Sequence, residues 1–125
     1  MKKIFAVVLC CTLAFGLYNC GSGPSKKYIK VAEAMNESLP RVMNNMQMER
    51  VEAASNNEFK YYYTLLSEPT VSSEEFSKNQ KAIMKEAFAN NSMDTYKKDK
   101  ITLVYIYCKP DRSLFAEIKF TPNEY

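Results

Sequence analysis

The sequence contains no histidine and no tryptophan, and none of its three glycines lies beyond Gly23. Histidine is the commonest general base and metal ligand, so its absence removes the usual Ser-His and Cys-His nucleophile pairs. Without a later glycine, the chain has no glycine-rich loop to hold a phosphate or a dinucleotide. The residue spacings typical of calcium and zinc sites are also missing. The sequence therefore predicts a protein that is not an enzyme and that uses no cofactor and no metal.

The first twenty residues have a pattern of their own. Lys2 and Lys3 precede an apolar run over residues 4–17, and the loop-forming Gly21-Ser22-Gly23-Pro24 follows shortly after it. The run is too short to span a bilayer comfortably, and a positive start before a short apolar run is typical of an export signal. We therefore predict that residues 1–19 are a signal peptide and that the mature protein is exported.

The end of this leader, Leu17-Tyr18-Asn19-Cys20, resembles the lipobox of bacterial lipoproteins, in which an apolar residue stands three positions before a cysteine. The resemblance covers the leader alone. It implies that Cys20 is lipidated and becomes the first residue of a mature chain anchored in the cell membrane or outer membrane, with its domain facing the periplasm or the cell surface. Several acyl chains make such anchoring effectively permanent. An ordinary cleaved signal and a retained apolar anchor are the alternatives.

Charge is nearly balanced beyond the leader. The leader carries two of the 17 basic residues, which leaves 15 basic against 14 acidic residues. A near-neutral domain predicts no nucleic-acid partner and no electrostatic attraction to an acidic membrane surface. Two short basic clusters, Lys26-Lys27 and Lys97-Lys98-Asp99-Lys100, are interpreted as solvated surface. With Cys20 acylated, Cys108 is the only thiol outside the leader, which excludes an internal disulfide and favours a packing role for Cys108.

Two helices are predicted in the part of the chain beyond the leader. Residues 20–27 are interpreted as the lipidated cysteine and a short polar tether, and residues 28–125 as a single domain. Apolar residues at helical spacing predict a first helix over residues 28–38, ended by the proline that follows. The capping box Ser72-Ser73-Glu74-Glu75 begins a second helix, which should stop near Asn90-Asn91.

Two hairpins are predicted as well. The run over residues 46–54 is compatible with a strand or a helix, but the turn Ser55-Asn56-Asn57-Glu58 and the aromatic run after it favour a strand, because both asparagines tolerate the positive φ of a tight turn. The second hairpin joins residues 101–108 and 114–121 through a turn at Lys109–Ser113. In its last strand, Leu114, Ala116, Ile118 and Phe120 are predicted to face the core.

The element order is therefore helix, hairpin, helix, hairpin. An antiparallel sheet of about four strands with both helices on one face buries every apolar stripe that the sequence shows. The predicted fold is a two-layer α+β domain.

Tyrosines are concentrated in the predicted strands, as Tyr61-Tyr62-Tyr63 with Tyr105 and Tyr107. One interpretation is that alternate tyrosines fill the core, because tyrosine is an ordinary strand residue. The other is an aromatic surface that stacks on a sugar or a peptide or holds a protein partner. Strand parity places Tyr61 and Tyr63 on one face and Tyr62 on the other, so Tyr62 is the candidate binding residue.

Three functions are compatible with these features. The leading prediction is a non-enzymatic, membrane-tethered lipoprotein of the cell envelope that binds a protein or another envelope component. The second is an immunity, exclusion or inhibitor lipoprotein that blocks a toxin, a lysozyme or a phage, with Lys109–Ser113 as its plug. The third is a carrier of a small apolar ligand, which requires an apolar cavity between the sheet and the helices.

Overall fold

The computed structural model describes residues 24–125, so the predicted signal peptide and Cys20 lie outside the described residues. The described part forms three helices and five strands, and its class is α+β, as predicted. None of its helices has the length and apolar character needed to cross a membrane. In chain order the elements are α1 (Lys26–Asn36), β1 (Arg41–Met43), β2 (Met46–Ala54), β3 (Glu58–Leu65), α2 (Ser73–Ala89), α3 (Asp94–Lys98), β4 (Thr102–Cys108) and β5 (Leu114–Phe120).

The five strands form one sheet in the order β1-β2-β3-β4-β5. Neighbouring strands are antiparallel except for β3 and β4, which are parallel and pair Tyr61 with Tyr105. The prediction of about four antiparallel strands is therefore wrong in the number of strands and in the direction of the central pair. The reason is the long connection between β3 and β4. Since α2 carries the chain back along the sheet, β4 begins at the same end as β3.

The strand that the sequence analysis missed is β1, a three-residue strand at the edge of the sheet. It joins β2 through Asn44 and Asn45, whose φ angles are 47° and 62°. A similar turn joins β2 to β3, where three residues separate Ala54 from Glu58 and two of them, Asn56 and Asn57, have φ angles of 62° and 58°. Such tight turns need left-handed backbone, and asparagine adopts it more readily than most residues. The predicted turn at Asn56 and Asn57 is confirmed.

Side-chain caps define where the two long helices begin. The Ser25 hydroxyl accepts a hydrogen bond of 3.2 Å from the amide two residues on, so α1 begins at Lys26, inside the predicted tether. The Ser72 hydroxyl accepts a hydrogen bond of 3.2 Å from the Glu75 amide, which confirms the predicted start of α2. The end of α2 at Ala89 is also close to the prediction. The five-residue α3 was not predicted, because it is too short for helical periodicity to show.

Both long helices lie on the same face of the sheet, as predicted, with α1 over β2 and α2 over β5. Tyr28 of α1 meets Phe59 edge to face with ring centroids 6.1 Å apart, and Phe88 of α2 meets Phe120 at 5.0 Å. All buried hydrophobic side chains of the described part lie between Tyr28 and Phe120, within the domain predicted over residues 28–125. The largest fully buried side chains are Tyr107, Phe59, Phe120, Leu103, Ile118 and Val104.

One core prediction fails in β5. The pairing of β4 with β5 shifts register between Tyr107 and Cys108, so that Leu114 pairs with Cys108. Leu114 is 64% exposed, whereas the ring of Phe115 lies 5.2 Å from that of Phe76 on α2. A β-bulge redirects side chains in this way. Leu114, which was predicted to face the core, therefore lies outside it, and Phe115 takes its place.

Candidate functional site

Among the described residues, no helix packs on the second face of the sheet, which we call the open face. Side chains alternate between the two faces along each strand, so the residues that neighbour core positions lie on the open face. On β3 these residues include Lys60, Tyr62 and Thr64, and on β4 they include Val104 and Ile106. The structure thus places Tyr62 on the face that strand parity indicates. Its role in binding stays a prediction.

Two charged residues of β2 hold Tyr62 in place. The guanidinium carbon of Arg50 lies 3.6 Å from the centroid of the Tyr62 ring, which is a cation–π contact. The Tyr62 hydroxyl donates a hydrogen bond of 3.1 Å to Oε1 of Glu52. Arg50 and Glu52 are themselves 3.9 Å apart, measured from Nη1 to Oε2. Tyr62 therefore has a defined orientation, with its ring under a cation and its hydroxyl on a carboxylate.

A bulge in β2 explains why Arg50 reaches Tyr62. The pairing of β2 with β3 shifts register between Met48 and Arg50, which leaves Glu49 as the extra residue. The contacts of Glu49 and Arg50 show that both side chains reach the open face. Consecutive residues of a regular strand point to opposite faces, so only the bulge lets both charges lie on this one.

Glu49 is the centre of a polar cluster beside Tyr62. It accepts a hydrogen bond of 2.6 Å from the Gln47 side chain and one of 2.9 Å from the Thr64 hydroxyl. Nη1 of Arg112, in the turn between β4 and β5, lies 3.5 Å from the same carboxylate. The bond from Gln47 is the main reason why the pKa of Glu49 lies below its ordinary value. Partial burial opposes that bond, while Thr64 and Arg112 lower the pKa further.

A second charged network covers the end of the open face where β4 begins. Glu58 pairs with Lys60 at 3.9 Å and with Lys119 at 3.6 Å. Val104 lies between these two lysines in the register and is fully buried. Lysine side chains cover apolar surface with their methylene stems while the ammonium groups stay in water. The paired charged side chains therefore cover the apolar surface in this part of the open face.

The other end of the open face exposes two apolar side chains that lie apart from each other. Leu114 is 64% exposed and pairs with the half-buried Cys108, whereas Val42 is 61% exposed on β1, and Gln47 and Thr64 lie between Val42 and Cys108 in the register. Cys108 is a free, half-buried thiol, and its packing role stays a prediction. The Tyr62 site, which we define as Arg50, Glu52, Tyr62 and Ile106, thus lies between the charged network around Glu58 and an end of the open face that mixes polar and apolar side chains. Tyrosine and arginine are enriched at protein interfaces, whereas lysine and glutamate are depleted there.

The other strand tyrosines lie on the face that the helices cover. Tyr61 stacks on Tyr105 with centroids 4.6 Å apart, and Tyr63 stacks on Tyr107 at 5.1 Å. Burial raises the pKa of all four hydroxyls, so these phenols stay protonated. The interpretation that alternate tyrosines fill the core is confirmed.

The positions of the helices explain why large rings are needed there. Three strand spacings separate β2 from β5, which is about 14 Å. Helices in direct contact have axes about 8–10 Å apart. Because α1 lies over β2 and α2 over β5, we infer that the helices do not cover β3 and β4 fully, and the stacked tyrosines of these two strands fill the core between the helices. They are packing residues, and Tyr62 is the one member of the group on the other face.

The part of the chain that the structure describes holds no group of three metal-ligating side chains. A surface cleft of about 870 Å³ lies at the end of α2. Its lining is mostly polar and includes Asn90, Asn91, Asn123, Lys85 and Lys97.

Sequence reasoning singled out Tyr62 but named neither Arg50 and Glu52, which contact it, nor Glu49 in the neighbouring polar cluster. A signal for them exists in β2, where the buried residues are Met48 and Val51. The spacing of three between them breaks the period of two that a regular strand requires, and a bulge is the ordinary cause of such a break. The contact with Arg112 gives no such signal, because it depends on how the last turn folds over the sheet.

Comparison with protein-family models gives no match, and comparison with curated protein sequences gives none either. A solved structure from Pseudomonas aeruginosa, described as a "putative secreted protein", is similar in fold, with a TM-score of 0.61 and 16% sequence identity. The similarity covers 77% of this chain and 87% of that one. At this identity the similarity concerns the fold alone.

Proposed function

We propose that this chain is an exported, lipid-anchored protein of the cell envelope that is not an enzyme and that binds a protein or another envelope component through the Tyr62 site. The observation that carries the proposal is the fixed position of Tyr62 on the open face, under Arg50 and against Glu52. Tyrosine and arginine are the residues that most often dominate binding energy at protein interfaces. Because the ring is already oriented, a partner meets it at a small entropic cost.

The leader and the structural neighbour support export. The leader has a positive start, a short apolar run and a cysteine before a loop-forming segment. The Pseudomonas aeruginosa protein with the similar fold is described as a "putative secreted protein". Anchoring through Cys20 rests on the resemblance of the leader to a lipobox. The absence of histidine from the sequence supports a binding role over an enzymatic one.

Photo-cross-linking of the full chain in its own cells tests the binding face. A photoreactive phenylalanine analogue replaces Leu114 on the open face, and in a matched control it replaces Ile83 on α2. These two positions are both apolar and almost equally exposed, at 64% and 61%. We expect a discrete adduct from position 114, lost when Tyr62→Ala is added, and no such adduct from position 83. An adduct from position 83 alone, or one that survives Tyr62→Ala, contradicts the proposal.

An immunity, exclusion or inhibitor function is the second candidate, and one observation favours it. The turn at Lys109–Ser113 is exposed over most of its length and held by its own hydrogen bonds. Oδ1 of Asp111 accepts bonds from the Ser113 amide at 2.9 Å and from the Ser113 hydroxyl at 2.6 Å, and the Lys109 amide donates to the Ser113 carbonyl at 2.8 Å. A turn that is rigid before binding suits insertion into a partner's cleft. Cross-linking from position 111, and not from position 114, favours this candidate.

The described contacts weigh against a carrier of a small apolar ligand. Such a carrier needs an apolar cavity between the sheet and the helices. Stacked rings occupy that space, with Tyr61 and Tyr105 4.6 Å apart and Phe76 5.0 Å from Tyr107. The cleft of about 870 Å³ at the end of α2 is lined mostly by polar side chains, which do not suit an apolar ligand.

A further inference from the structure

The fold brings together two basic clusters that are about 70 residues apart in the chain. Nζ of Lys27, in the first turn of α1, lies 2.7 Å from Oδ2 of Asp99, which follows α3. The Tyr28 hydroxyl donates to the same oxygen, also at 2.7 Å. These two contacts fix the start of α1 against the segment that contains Lys97, Lys98 and Lys100. The nearly balanced charge of the domain therefore conceals a local excess of positive charge.

Five lysines surround this junction, and we call them the basal lysines: Lys26, Lys27, Lys97, Lys98 and Lys100. All five are exposed. The carboxylate among them, Asp99, is paired with Lys27, and hydrogen bonds from Lys27 and then Tyr28 lower its pKa. Asp94 lies at the start of α3, and Glu124 is bonded to the amide and hydroxyl of Thr121. A cleft of about 590 Å³ opens between Lys97 and Lys100.

Two of the basal lysines occupy positions that the local structure disfavours. Lys26 and Lys27 are the first residues of α1, and no acidic residue lies in that first turn. The N-terminus of a helix carries a partial positive charge, so cations there reduce helix stability. Residues that break a local rule of this kind are often retained for a function.

We propose that the basal lysines dock the domain on a surface of anionic phospholipid headgroups. This inference deepens the proposed function, because it rests on the anchor at Cys20. Four residues separate Cys20 from Ser25, and the five Cα–Cα steps between these two residues span at most about 18 Å. The basal end is therefore the part of the domain that an anchor at Cys20 holds nearest to the bilayer. Anionic headgroups attract nearby lysines, and this attraction adds to that of an acyl anchor.

The choice of lysine supports a lipid surface over a specific phosphate site or a nucleic acid. All five residues are lysine and none is arginine. Lysine carries a compact, hydrated charge on a flexible stem, whereas planar bidentate recognition of phosphate favours arginine. A diffuse layer of headgroups needs only mobile point charges close to it.

Vesicle binding by the unacylated chain that starts at Gly21 tests this proposal separately from the anchor. That chain contains every buried residue of the described part, and its thermal unfolding verifies the fold of the parent and of each variant. We expect binding to vesicles with about 30% phosphatidylglycerol and none to pure phosphatidylcholine, with affinity that falls as salt rises. Each basal lysine should contribute about fivefold, so Lys97→Gln with Lys98→Gln should weaken binding about 25-fold. The control pair, Lys78→Gln with Lys109→Gln, removes the same charge elsewhere and should leave binding within about twofold.

Four outcomes overturn the proposal. The first is the absence of binding to the anionic vesicles by a folded chain. The second is an equal loss of binding in the two double variants, which would show a response to net charge alone. The third is displacement from the vesicles by inorganic phosphate at low millimolar concentration, which would indicate a site for the free ion. The fourth is tighter binding to a single-stranded DNA than to the vesicles. Since this chain lacks Cys20, each of these results leaves the anchor itself untouched.

Discussion

The guanidinium carbon of Arg50 lies 3.6 Å from the centroid of the Tyr62 ring, on the face of the sheet that no described helix covers. A cation over an aromatic ring contributes about 0.5–1 kcal/mol at an exposed site. The hydrogen bond from Tyr62 to Glu52 fixes the ring from its other end. Tyrosine and arginine are among the residue types that most often dominate binding energy at protein interfaces, which makes this pair the one to test.

Replacement of this tyrosine separates a role in binding from a role in folding. Tyr62→Ala should lower the free energy of unfolding by only about 1 kcal/mol, since it removes one exposed cation–π contact and one surface hydrogen bond. It should lower the affinity for the cross-linked partner by about 2 kcal/mol. Chemical denaturation and titration with the purified partner measure the two effects.

The control for this prediction is Tyr62→Phe, which keeps the ring under Arg50 and removes only the hydrogen bond to Glu52. It should retain most of the affinity. If Tyr62→Ala does not fold, Tyr62 belongs to the core. If it folds and binds like the parent, the open face is not the binding site.

Local signals in the sequence predicted much of the fold. Asn56 and Asn57 predicted the turn between β2 and β3, because few other residues accept positive φ at two successive positions. Ser72 predicted the start of α2 because its hydroxyl satisfies an amide that the helix itself leaves free. Asn44 and Asn45 carry the same turn signal, and recognising it would have added β1.

The features that escaped prediction depend on contacts between distant parts of the chain. Whether β4 runs parallel to β3 depends on where α2 crosses the sheet, and no local pattern records that. The meeting of Lys27 with Asp99 likewise follows from the packing of α1 against α3. The face on which Tyr62 lies was predictable, because it depends only on the alternation of side chains along β3. The position of Arg50 depends on the bulge in β2, and that of Arg112 depends on how the turn between β4 and β5 folds over the sheet.

The central position of β4 can be tested by removing one of its side chains. Leu103 is fully buried and contacts the core. Leu103→Ala should lower the free energy of unfolding by about 2–5 kcal/mol, because it removes apolar contacts and leaves a cavity. Leu114→Ala, in the neighbouring strand but 64% exposed, should change it by less than about 0.5 kcal/mol. Equal midpoints for Leu103→Ala and the parent in urea would show that β4 is peripheral.

The predicted anchor can be tested in cells with one substitution. Cys20→Ser should abolish labelling by a fatty-acid probe and move the protein from the membrane fraction to the soluble fraction, since the variant lacks the thiol to which the lipid is attached. Cys108→Ser is the matched control and should remain labelled and membrane-bound. If Cys20→Ser stays in the membrane fraction, the lipoprotein prediction fails and a retained apolar anchor is favoured.

Glu49 should make the stability of the protein depend on pH. Its pKa in the folded protein lies below the ordinary value of 4.5, mainly because the Gln47 side chain donates a hydrogen bond to the carboxylate. A carboxyl group with a lowered pKa stabilises the fold above its ordinary pKa, and this contribution disappears as the pH falls below 4.5 and through the lowered value. The parent should therefore lose more stability than Glu49→Gln on going from about pH 7 to about pH 3.

Urea denaturation of the two proteins across this range gives the measurement. The pKa values of Asp99, Asp111 and Glu124 are also lowered, so both proteins should weaken in acid. Only the difference between their free energies of unfolding reports the charge of Glu49. This difference should shrink as the pH falls, because the protonated carboxyl of the parent then resembles the uncharged amide of the variant. A difference that stays constant from about pH 7 to about pH 3 would show that Glu49 stabilises the open face by packing and not by charge.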